Sequence, residues 1–168
     1  SYIRDSILDS LNQNVEIVGL DLILNLSKCP FVDSLNIITL NHDNLVESLL
    51  DKNKIEYEDG FSELDGDFRW FAPDKFFATT KVKIIKLHGS IDWYSYQSES
   101  GEKVAKISID SNTPKRNASG IVVNPFDKSP KLITGINKIS FYNSGIYTDI
   151  HYHFQKVLYE NDLMIMSG

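Results

Sequence analysis

The chain has 168 residues, 42% apolar and 24% charged, enough for one domain with a real hydrophobic core. Its net charge of −6 excludes a nucleic-acid backbone as the main partner, since such binding rests on clustered Lys and Arg, but it admits a small anionic ligand in a local pocket. The single cysteine, Cys29, excludes an internal disulfide and a Cys-rich zinc site, and no apolar run reaches the roughly 18 residues that span a bilayer, so a cytoplasmic protein away from the membrane is expected.

Residues 1–12 read as a helix with Ile3, Ile7, Leu8 and Leu11 on one face. A second helix is predicted over 15–28, where Val15, Val18, Leu22 and Leu26 recur at near-helical spacing and Pro30 supports a stop. Ile37-Ile38-Thr39-Leu40 is a short apolar run, read as a buried strand. It passes into Asn41-His42-Asp43-Asn44 and then a helix carrying Leu45, Val46, Leu49 and Leu50. Strand, polar turn and helix in succession form the ligand-binding edge of an open α/β sheet.

The acidic stretch 51–67 lacks the ligand spacing and terminal Glu of a calcium loop and reads as a solvated loop. "FRWFAPDKFF" (68–77) reads as a satellite core under a loop, with a ligand lid or partner surface as the alternative. Strands are predicted at 82–87, 91–96, 104–109 and 121–123, with a polar loop over 110–120. An amphipathic helix is predicted over 146–160, and Leu163 to Gly168 reads as a final apolar strand. The fold class expected is α/β, with a mostly parallel sheet covered by helices. Because the chain starts without Met in mid-helix and stops on a strand, 1–168 is read as a single domain incomplete at both ends.

Two strand ends carry the candidate chemistry: "TLNHD" (39–43) and "LHGS" (87–90). If their strands are parallel neighbours, Asn41 and His88 converge at one edge. Asn offers two donors and an acceptor for a hydroxyl or a water; His titrates near neutral pH and can take that hydroxyl's proton. Gly89 allows a tight turn or a close approach of a ligand to the backbone. A plain turn after the strand, with Asn41 and Asp43 capping the next helix, is the structural alternative. "DIHYH" (149–153) puts His151 and His153 two apart on a helix, where they do not share a face, so both are expected at the surface. His42 is expected to pack or stack, and Trp93 and Tyr94 to be core and face residues of their strand.

Thr39-Leu40-Asn41-His42-Asp43 followed by "NLVESLL" resembles the T-x-N-x-D segment of sirtuins and their bacterial sirtuin-like relatives. "KLHGSIDW" (86–93) resembles that family's LHGS segment, and "LMIMSG" (163–168) its strand leading to a glycine-containing loop beside the adenine ribose. The resemblance implies a Rossmann-like fold that binds NAD. Asn41 would hold the nicotinamide ribose or an attacking water, and His88 would be the general base. Thr39, Asp43, Gly89, Ser90 and Gly168 would be cofactor-binding, although a Ser90 hydroxyl satisfying the turn backbone is an equal reading.

The departures shift the activity. Residues 91–168 hold no cysteine, where deacetylating sirtuins carry a four-cysteine zinc ribbon, so no zinc is expected. Leu40 stands where a Gln is usual, and no G-x-G-x-x-G phosphate loop occurs; it would precede Ser1. The loss of the ribbon and the strand pair after LHGS resemble the sirtuin-like domains of bacterial anti-phage defence, which hydrolyse NAD to nicotinamide and ADP-ribose when a further domain or partner subunit senses infection. A non-catalytic NAD- or ADP-ribose-sensing domain controlling an attached effector is the alternative, and a homo-oligomer is admitted.

Overall fold

A computed structural model describes residues 19–98, 101–107, 114–125, 129–133 and 142–166. The helix expected over 1–12, the start of the one over 15–28, and Gly168 lie outside these residues. The elements are α1 (Asp21–Lys28), β1 (Leu35–Thr39), α2 (Leu45–Lys52), β2 (Tyr57–Glu58), β3 (Phe68–Trp70), a 3-10 turn (Pro73–Phe77), β4 (Val82–Lys86), β5 (Trp93–Ser98), β6 (Gly101–Ile107) and α3 (Ile146–Glu160).

The sheet is divided. β1, β4 and β2 form a parallel sheet in the order β1-β4-β2, whereas β3, β6 and β5 form a separate antiparallel sheet in the order β3-β6-β5. A mostly parallel sheet was expected; the difference follows from chain length between strands. β5 and β6 pair from Trp93↔Lys106 to Ser98↔Gly101, and so short a connection joins only antiparallel strands, because a parallel crossover needs about a dozen residues or more. β1 and β4, by contrast, are separated by a long crossover and pair in parallel from Leu35↔Val82 to Thr39↔Lys86.

The parallel sheet is apolar on both faces, as a strand covered on two sides must be. Alternate side chains point to opposite faces. Val82 and Ile84 pack with Leu50 of α2, Ile23 of α1 and Ile37. Ile85 and Leu87 turn the other way, into the principal core with Phe61, Phe76, Trp93, Val104, Ile133 and the α3 residues Tyr147, Ile150 and Val157. The far face of the antiparallel sheet holds a third cluster, Phe68, Tyr96 and Ala105, with Trp70, Tyr94 and Ile107 against it. The aromatic residues Phe68, Trp70, Phe71 and Phe76 of the stretch 68–77 are therefore core material, split between two clusters, while Phe77 is exposed. Trp93 is buried and Tyr94 half-buried, as expected.

Three expectations need correction. The strand read at 91–96 starts only at Trp93, because Ile91 and Trp93 donate their backbone N–H groups to the His42 and Ser90 carbonyls in a turn. Residues 121–123 contribute a single bridge, Arg116↔Val122. Residues 161–166 form no strand: no described strand pairs with them, and Leu163, Met164, Ile165 and Met166 are exposed. Apolar composition alone cannot supply the ladder partner that a strand needs.

Tyr96 is fully buried, and its hydroxyl has no hydrogen-bond partner among the described residues. Burial pushes that phenol up to about 12. Tyr96→Phe removes an unsatisfied polar group while keeping the ring that packs edge-on against Phe68 at 5.2 Å. The expected result in urea unfolding is unchanged stability or a gain of about 1 kcal/mol; a loss beyond about 1 kcal/mol would show that the hydroxyl is satisfied after all.

Candidate active site at the carboxyl ends of β1 and β4

Parallel pairing of β1 with β4 brings the two motif-bearing loops to one sheet edge. The Leu87 N–H donates to the Thr39 carbonyl at 3.1 Å, and Ile91 N–H to the His42 carbonyl at 3.0 Å. The loops bearing Asn41 and His88 thus leave adjacent parallel strands at the same edge. Asn41 is exposed, and its backbone N–H is held by the Thr39 hydroxyl at 3.0 Å. His88 is only 6% exposed, and its Nε2 shares a 2.9 Å hydrogen bond with the hydroxyl of Tyr142. From the opposite loop His42 places its ring centroid 6.1 Å from that of His88 and its Nδ1 3.4 Å from the Gly89 carbonyl. The packing expected of His42 is seen.

Asp43 caps α2 locally: its Oδ1 accepts from the Leu45 N–H at 3.1 Å, satisfying a donor that the first helical turn leaves open. Asn44, next in line, spends its side chain on a larger structure. Its Nδ2 donates to Asp92 Oδ2 at 3.0 Å, and its Oδ1 accepts from Lys86 Nζ at 2.8 Å. Lys86, 3% exposed, also donates to the Asp43 carbonyl and to Ser90 Oγ at 2.9 Å, and pairs with Glu47 Oε1 at 2.8 Å. Ser90 is fully buried. Its hydroxyl lies 2.9 Å from Asn44 Oδ1 and 3.2 Å from the His42 carbonyl, one of which takes its single proton. Ser90 therefore ties the two loops together from inside.

The network continues into the antiparallel sheet. Lys106 of β6 pairs with Asp59 at 2.8 Å and stands 3.7 Å from both Glu47 and Asp92. Arg69 of β3 grips Asp59 with two guanidinium donors, at 2.8 and 3.0 Å. Burial alone would raise the Asp59 carboxyl, yet Lys106 and Arg69 hold it below the ordinary carboxylate value. Burial likewise opposes the charge of Lys106, but Asp59, Asp92 and Glu47 raise it above the ordinary lysine value. Three cations and three carboxylates balance in this interior: Lys86, Lys106 and Arg69 against Glu47, Asp59 and Asp92. The acidic segment 51–67 is thus not wholly solvated, since Asp59 is 5% exposed. Asp65 is also engaged, accepting from Trp70 Nε1 at 2.9 Å.

Gly89 has a backbone reason for being glycine. Its φ is +83°, and a Cβ there would lie 2.0 Å from the Lys131 carbonyl and 2.6 Å from the Tyr147 hydroxyl. The close approach is that of segment 131–133, bridged at Gly89↔Leu132 and closed by Ile133 N–H donating to the His88 carbonyl at 2.8 Å.

Of the two remaining histidines, His153 departs from the surface position expected of it. It is 5% exposed and stacked on Phe76 at 4.5 Å; desolvation, then Lys156 and Lys83, hold its pKa below the ordinary value. His151 lies on another side of α3, 4.0 Å from the Tyr142 ring. Among the described residues, no group of three or more His, Cys, Asp and Glu side chains is placed to hold a metal, and no helix is long and apolar enough to cross a membrane.

Neither protein-family models nor curated proteins give a match to this chain. The site is therefore read from its own geometry. Sequence reasoning found the two loops but missed Lys86, Asn44, Glu47, Asp59, Asp92, Lys106 and Tyr142. For two of these a signal existed: Lys86 shares a strand face with Val82 and Ile84, and Lys106 with Val104, and a lysine on an apolar face implies a buried partner. Tyr142 carried none.

Two variants test this framework. Asp59→Asn breaks a buried pair and is expected to cost about 3–5 kcal/mol. Because Asp59 titrates below its ordinary value of 3.8, its contribution is complete above that pH and is lost as pH falls toward the lowered value. Denaturant titrations at neutral and acid pH should therefore show the two proteins converging in acid, and a constant gap would refute the assignment. Gly89→Ala should lose more than the roughly 1–3 kcal/mol of positive-φ strain alone, read as a fall in thermal midpoint.

Proposed function

We propose that this chain is a Rossmann-like, sirtuin-like NAD hydrolase domain that splits NAD into nicotinamide and ADP-ribose. The observation that carries this reading is the Thr39↔Lys86 register, which sends the Asn41 and His88 motifs out of adjacent parallel strands at one edge. That edge is where open α/β sheets bind ligands. Asn41, exposed at the rim, orients the nicotinamide ribose or the attacking water through its amide. His88 accepts the proton of the ribose hydroxyl or water as the glycosidic bond breaks. The departing nicotinamide leaves an oxocarbenium-like ribose, the charge problem that glycosidases also face. Thr39 and Asp43 shape the Asn41 turn, while Gly89 and Ser90 hold the His88 turn at the sheet edge. The reading includes NAD as substrate, no zinc, a cytoplasmic setting, and a sensing domain or partner subunit that switches the activity on in anti-phage defence.

One observation favours a second reading, an NAD- or ADP-ribose-binding domain without turnover. His88 is nearly buried and its Nε2 already has a partner in Tyr142. Calorimetry with NAD alongside product analysis separates the two, since heat of binding without released nicotinamide marks the sensor.

The decisive experiment is nicotinamide release by the complete protein to which this domain belongs, beside its Asn41→Ala and His88→Ala variants. A positioned base supplies about 10²–10⁴ in rate, and His88→Ala is expected to lose that factor. Asn41→Ala should lose about 10²-fold. Wild-type rates from both variants would sink the assignment.

A further inference from the structure

We infer that Tyr142 is a positioning residue for His88, holding the ring orientation of that imidazole. In its catalytic consequence this rests on the hydrolase reading above. The argument begins from burial. A histidine that is 6% exposed cannot leave its ring nitrogens to bulk water, and buried polar atoms are satisfied within the protein. Nε2 finds the Tyr142 hydroxyl at 2.9 Å. A hydroxyl can donate to a bare Nε2 or accept from a protonated one, so this contact fixes where the ring points rather than which nitrogen carries the proton. A base whose ring can turn presents its lone pair to the substrate only part of the time.

The tyrosine is itself held. Its ring lies nearly parallel to that of His88, 18° apart with centroids at 6.2 Å, and rests on His151 of α3 at 4.0 Å. It also packs against the principal core. The sequence of rings from His42 through His88 and Tyr142 to His151 therefore runs from the turn after β1 to α3. A hydroxyl fixed in this way acts on the histidine, in the manner of the third member of a nucleophile–base arrangement.

Tyr142→Phe deletes the hydroxyl and keeps the ring that packs on His151 and the core, so the fold is expected to survive. The full chain labelled with 15N-histidine is compared as wild type and Tyr142→Phe, with His88→Gln to identify the His88 signals. Tyr142→Phe removes the Nε2 partner, so the His88 nitrogen shifts should move from their wild-type values, that of Nε2 most. In nicotinamide release, kcat should fall about 10-fold or more, inside the 10²–10⁴ that a positioned base supplies, with KM changed less than about 2-fold. Unchanged His88 shifts overturn the inference, as does a kcat that stays the same or rises while the shifts move; a rise would make the hydroxyl a block on Nε2. Complete wild-type protein that releases no nicotinamide even when its sensing domain or partner subunit is engaged sinks the hydrolase reading alone, and the nitrogen shifts then decide the positioning claim by themselves.

Discussion

The ammonium of Lys86 is the interaction on which the site depends. A lysine at 3% exposure has lost its water, and the penalty for an unpaired buried ion is several kcal/mol. It is tolerated only if acceptors stand around it in fixed positions. Those acceptors come from three places: Asp43 and Asn44 in the turn after β1, Glu47 in α2, and Ser90 in the turn after β4. One cation therefore dictates how the two loops sit relative to each other. Either loop displaced alone would leave a buried charge short of a partner, so the low dielectric that makes the network costly also makes its geometry specific.

The constraint extends beyond Lys86 because Glu47 is shared. Its Oε1 faces Lys86 at 2.8 Å and Lys106 at 3.7 Å, and Lys106 leads on to Asp59 and Arg69. The antiparallel sheet is thereby locked to the parallel one by alternating charges, while Trp93, Val104 and Phe61 join the same core as Ile85 and Leu87. Hydrophobic contact sets the distance between the sheets; being non-directional, it does not set their alignment. The charge network supplies the alignment that a sheet-edge site needs, with loops held on a rigid scaffold.

How much of this was legible in the sequence depended on whether the signal was local. β1, α2 and β4 announced themselves through apolar runs and helical spacing, because each buries a face whose period is written in consecutive residues. The pairing of Asn41 and His88 at one edge followed from the general habit of parallel strands. What escaped was decided by partners far along the chain. Asp59 looked like one more acid in a polar stretch until Lys106 and Arg69 arrived beside it. His153 looked like a surface residue of α3 until Phe76 stacked on it. Asn44 was read as a helix boundary, whereas its amide bridges Lys86 and Asp92. The stretch 163–166 failed in the opposite direction, since its apolar residues satisfied the pattern of a strand without a described strand beside them.

Helix α3 shows how far the consequences of burial reach. Its His151 contacts Tyr142, the partner of His88, while His153 contacts Phe76 of the 3-10 turn. Desolvation lowers the pKa of both imidazoles, so each docks as the neutral ring at pH 7. A histidine with a folded-state value below its ordinary 6.5 binds fewer protons folded than unfolded. Its contribution is therefore whole above 6.5 and shrinks as pH falls toward the lowered value. The helix that steadies Tyr142 thus adds neutral imidazole contacts to the core packing of Tyr147, Ile150 and Val157, in contrast to the ion-paired interior that fixes the two loops.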